Sequence, residues 1–106
     1  MSATPGPLPA DVQAELERIL SSPAFVNAER LSRFLRFTTE EVLKGRGDRL
    51  KEYVIGIEVF DRSSGYDPRT DPIVRVEARR LRSKLQAYYE ADGSDSPVVI
   101  DFPKGN

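Results

Sequence analysis

The sequence predicts a small α+β domain. Apolar residues recur at helical spacing in three long stretches, a last stretch near the C-terminus alternates like a strand, and firm turn formers separate the segments. With 106 residues, 39% of them hydrophobic and 31% charged, the chain is long enough for one core and too apolar to remain disordered. It contains no cysteine and no histidine, so it needs no disulfide, and thiolate chemistry, imidazole acid–base chemistry and soft-metal sites are excluded.

Residues 1–7 are small, proline-rich and uncharged, the composition of a flexible lead-in, and a single domain is expected over residues 8–106. From Pro9 the spacing of Val12, Leu16, Ile19 and Leu20 predicts a first helix, with proline suited to the first turn and Ser21, Ser22 and Pro23 closing it. Asn27 reads as the N-cap of a second helix carrying Leu31, Phe34, Leu35, Thr38 and Val42, which Gly45 and Gly47 end. Residues 50–60 fit a short helix or a buried strand, and their valines and isoleucines lean towards strand. Residues 61–72 are dense in turn formers. Asp71 as N-cap and Pro72 in the first turn then open a helix extending to about residue 90. Residues 97–102 alternate as a strand, and Pro103, Lys104 and Gly105 read as a turn that asks for a returning partner. The chain is therefore expected to be a piece of a longer protein.

The last helix carries the chemistry. At 100° per residue, Val74, Ala78, Leu81, Leu85, Tyr88 and Tyr89 share one arc, and Arg75, Arg79 and Arg82 form an adjacent stripe, with Arg80 and Lys84 on the opposite flank. Residues 75–84 hold five cations and one anion, Glu77. Their net charge of plus four sits in a chain of formal net charge −1, so the remainder carries minus five. Basic residues on a helix face are ordinarily just solvated. Positive charge segregated onto one helix of an acidic protein instead suggests a local anionic partner, double-stranded DNA first.

No other motif supports chemistry. Asp67 and Asp71 lack the spacing of a calcium loop, residues 45–48 lack the pattern of a phosphate loop, and Glu40 and Glu41 point about 100° apart on a helix. Tyr53, Tyr88, Tyr89, Phe34 and Phe37 read as core rather than as a base-stacking platform. No enzymatic activity, cofactor, metal or membrane contact is expected, and with no export signal and no long apolar run the expected compartment is the cytoplasm.

The helix motif Leu81-Arg82-Ser83-Lys84-Leu85 and the terminal Phe102-Pro103-Lys104-Gly105 resemble the winged-helix output domain of OmpR/PhoB-type response regulators. The blocks FLRF, LKEYVIGIEVF, YDPRTDPIVRVEARRLRSKL and PKG, over residues 34–106, are closer still to an uncharacterised bacterial N-terminal module found with cyclase-like or tetratricopeptide-repeat proteins. The resemblance implies a winged helix: a helix-turn-helix bundle with residues 50–60 helical, then a C-terminal β-hairpin wing that is incomplete here. It further implies a sequence-specific transcription regulator whose helix 71–90 enters the major groove. In that reading Arg75 and Arg79 contact base edges, Arg82 continues their stripe, and Arg80, Lys84 and Lys104 hold phosphates. The alternative is an adaptor module of a larger signalling protein that uses the same helix to dock an acidic partner or a second copy of itself.

Overall fold

A computed structural model describes residues 7–102. In chain order it contains α1 (Pro9–Ser21), α2 (Glu29–Leu43), a 3₁₀ turn (Gly47–Arg49), α3 (Glu52–Glu58) and α4 (Ile73–Glu90).

The periodic segments fold as their spacing dictates. Helix α1 buries Leu16 and Ile19 completely, and the Ser22 hydroxyl donates to the Ile19 carbonyl at 2.6 Å where the helix stops. Helix α2 turns Leu31, Phe34 and Leu35 inward; its N-cap is Ala28, one residue beyond the expected Asn27 and without a side-chain cap bond. Gly45, at φ 77°, supplies the left-handed residue that lets the chain leave α2.

The ambiguous segment is helical. Within residues 50–60, Ile55, Gly56, Val59 and Phe60 are buried while Glu58 faces water, so packing on one side overrides the β-branched propensity. The chain leaves α3 through Asp61 at φ 55°, a conformation aspartate tolerates better than most residues, and Arg33 of α2 fixes that corner by donating to both Asp61 carboxylate oxygens and to the Glu58 carbonyl. Helix α4 begins at Ile73, whose N–H is accepted by an Asp71 carboxylate oxygen at 3.2 Å, so the aspartate caps the helix from one residue further out than a formal N-cap.

All four helices contribute to one core centred on Phe34, whose ring meets Phe60 and Phe102 edge-on at 5.2 Å each. Tyr66 packs flat against Gly56 and stacks on Tyr53, which is itself 43% exposed and so not the core residue expected. Tyr88 is buried as expected, and Phe37 and Tyr89 are partly buried against the core.

The expected α+β winged helix is overturned, because the described residues contain helices and no strand. Residues 97–102 are extended, but a strand requires a ladder partner and among the described residues there is none. Pro97 also has no N–H to offer. This segment instead lies against the helical body, with Ile100 and Phe102 packed on the core and the Ile100 N–H donating to the Tyr89 hydroxyl at 2.9 Å. The expected turn at residues 103–105, with Lys104, lies outside the described residues.

Candidate nucleic-acid interface

Helix α4 presents its apolar arc to the core through Val74, Leu81, Leu85 and Tyr88. Its one acid before Glu90, Glu77, falls on the buried side and is only 3% exposed. There Arg30 of α2 approaches one carboxylate oxygen at 3.5 Å and Arg80 the other at 3.7 Å. Burying a carboxylate is tolerable only with such partners. The consequence for the outward face is that it carries no carboxylate from Arg75 to Ala87.

The predicted cations divide into three groups. Arg75 is tied down: one guanidinium nitrogen donates to Glu52 of α3 at 2.7 Å and another to the Pro68 carbonyl at 2.9 Å. Arg80 faces Glu77, and Lys84 is turned away from the stripe, donating to the Ala24 carbonyl at 2.9 Å above the Phe25 ring. Arg79 and Arg82 form neither an ion pair nor a side-chain hydrogen bond among the described residues; Arg79 is exposed, whereas Arg82 is half-buried and lines, with Asp101, a groove of about 440 Å³ between α4 and the extended segment. Arg75, Arg79 and Arg82 share one face as expected, but only two of them are available.

Several other carboxylates are already engaged. Glu40 and Glu17 take Arg36, Glu41 takes Arg46, Asp61 takes Arg33 and Asp71 takes Arg62. The hydrogen bond from Arg36 holds the Glu17 carboxyl below the usual range, and Arg46 does the same for Glu41.

Sequence reasoning missed Lys51. It is the N-cap of α3 and is exposed without an ion pair among the described residues. It precedes Glu52, which holds Arg75, and it lines a second groove together with Glu41, Asp48, Arg49 and Glu58. Arg49 and Lys44, nearby in sequence, are likewise exposed and unpaired among the described residues. The signal was available in residues 44–51, where four cations face one acid, Asp48.

A second cluster fixes the far end of α4. Glu15 of α1 is fully buried; one of its oxygens accepts from Arg18 at 2.7 Å and the other from the Tyr89 hydroxyl at 2.7 Å. Burial and the neighbouring carboxylate push the Tyr89 hydroxyl well above the ordinary tyrosine range. Nearer the other end, the Tyr66 hydroxyl is buried with no hydrogen-bond partner among the described residues, and desolvation raises it too.

Among the described residues no group of three or more potential metal ligands occurs, and no helix is long and apolar enough to cross a membrane. Comparison with protein-family models, curated proteins and solved structures finds no match to this chain.

Proposed function

We propose that the chain is a sequence-specific, duplex-DNA-binding module of a transcription regulator, with α4 as the helix that enters the major groove. The observation that carries this reading is the outward face of α4, which keeps its cations while its one internal acid is buried. A helix about 10–12 Å across fits a major groove about 12 Å wide, and guanidinium groups along its outer face meet base edges and phosphates there. Arg79 and Arg82 supply the inner contacts. We assign Lys51 and Arg80 to the flanking backbone, where contacts hold the duplex without selecting sequence. The likeness of residues 81–85 to a recognition-helix motif supports the same reading.

Fluorescence anisotropy with labelled duplex at several salt concentrations tests it. With the two phosphates met by Lys51 and Arg80 neutralised, log affinity falls against log salt with a slope of about −1.8. A flat salt response, or no binding at low salt, overturns the proposal.

One observation favours docking to a second copy. Glu90, Asp92 and Asp95 are exposed at and just beyond the C-terminal end of α4, opposite in charge to the stripe at its N-terminal half. Light scattering across a concentration series separates this reading, since a reciprocal dimer gains mass with concentration and loses it with salt.

A further inference from the structure

We infer that Arg79 and Arg82 together select two guanines on the target duplex, set one to two base steps apart; this deepens the DNA-binding reading above and rests on it.

Most donors on α4 are already used. Of the five cations on α4, Arg75 has hydrogen bonds to Glu52 and Pro68, Arg80 faces Glu77, and Lys84 donates to Ala24. To offer its fork to a base, Arg75 must first leave Glu52, stranding that carboxylate. Arg79 and Arg82 carry no such commitment among the described residues. Binding therefore costs Arg79 only side-chain ordering, and costs Arg82 that ordering together with its packing in the groove beside residues 99–102.

The choice of base follows from the guanidinium itself, which has donors in a planar fork and no acceptor. In the major groove guanine offers two acceptors, O6 and N7. Adenine pairs one acceptor with a donor, thymine offers one acceptor and a methyl group, and cytosine offers only a donor. Guanine alone satisfies both arms of the fork. A lysine at either position, being a point charge, would leave this choice weaker.

Spacing sets the separation. Residues three apart are separated by about 60° around the helix and about 4.5 Å along it. A base step is about 3.4 Å, so the two forks reach neighbouring or next-neighbouring base pairs. Ser83, beside them on the outward face, is small enough not to hold the helix away from the groove floor, whereas Gln86 already donates its amide to Glu90 at 3.2 Å.

The test uses the 106-residue chain and a pool of duplexes with a randomised 14-base-pair centre, with retained members sequenced. The best-retained duplex is then rebuilt with 7-deazaguanine, which removes N7 but keeps Watson–Crick pairing. The expected result is enrichment of paired guanines and a loss of about 5- to 140-fold in affinity for each guanine disabled. Arg79→Lys and Arg82→Lys keep the charge and so keep the salt slope, but each flattens the preference at one guanine. Salt-sensitive retention without guanine enrichment, or enrichment indifferent to 7-deazaguanine and to both lysine variants, overturns this assignment and leaves the DNA-binding reading standing. No retention at low salt overturns both.

Discussion

Replacing Tyr89 by phenylalanine removes a single oxygen that joins three parts of the chain. That hydroxyl donates to buried Glu15 of α1, 74 residues away in sequence, and accepts from the Ile100 N–H of the extended segment. A hydrogen bond to a charged group contributes about 1.5–3 kcal/mol and one from a backbone N–H about 0.5–1.5 kcal/mol, so Tyr89→Phe is expected to destabilise the fold by roughly 2–4 kcal/mol. For a chain of this size, total stability is about 5–15 kcal/mol, so the loss is easily read in urea denaturation as a lower midpoint at unchanged slope. Glu15 keeps Arg18, which limits the damage. A double-mutant cycle with Glu15→Gln isolates the pair, with a coupling of about 1 kcal/mol or more expected. Hydrogen exchange should show the Ile100 amide losing protection before α4 does. A loss under about 0.5 kcal/mol, additive with Glu15→Gln and with Ile100 still protected, would refute the reasoning.

Three further outcomes are expected. A methyl group at Gly56 would meet the Tyr66 ring at 2.3 Å, so Gly56→Ala sets overpacking of about 1–3 kcal/mol against a helix-propensity gain near 1 kcal/mol; the net loss should shrink in a Tyr66→Leu background, and an equal loss in both backgrounds rejects the clash. Glu17, Glu41 and Asp67 are held below the usual carboxylate range by Arg36, Arg46 and Arg69, so their contribution is present above their ordinary values and fades as pH falls through the depressed ones. Denaturation midpoints should therefore be flat near neutrality and drop below about pH 4.5, the ordinary glutamate value, with Glu17→Gln shallower than the parent; a profile flat to pH 3 counts against these pairs. Glu52→Gln frees Arg75 for a phosphate and should steepen the salt slope of duplex binding by about 0.9, while an unchanged slope means that Glu52 does not restrain it.

The sequence disclosed the helices better than it disclosed their company. Leu16 and Ile19, Phe34 and Leu35, and Leu81 and Leu85 announce α1, α2 and α4 by spacing alone. Residues 97–102 are extended, with Ile100 and Phe102 packed inward and Val99 and Asp101 exposed, but the alternation read as a strand is a property of any extended chain and does not reveal whether a partner strand exists. Propensity misjudged residues 50–60 because burial of Ile55 and Val59, a tertiary effect, decided their conformation. The arginine stripe was legible for the same reason as the helix. What was not legible is which arginines are spoken for, since Glu52 and Pro68 meet Arg75 only after the loop has folded back. Glu77 was readable in principle, because its angle on the wheel lies near Leu81 and Tyr88 rather than with the arginines.

The packing of Phe102 against Phe34 bears on when this molecule becomes itself. A chain made from its N-terminus can form the α1–α2 pair early, but that pair keeps an open apolar side until α4 and then the extended segment arrive. Glu15 likewise waits for Tyr89, and Ala24 for Lys84. Contacts of such long sequence separation are slow to close and reward the chain only at the end. The cationic face is thus assembled after synthesis of nearly the whole described segment, so an unfinished chain does not present the finished face.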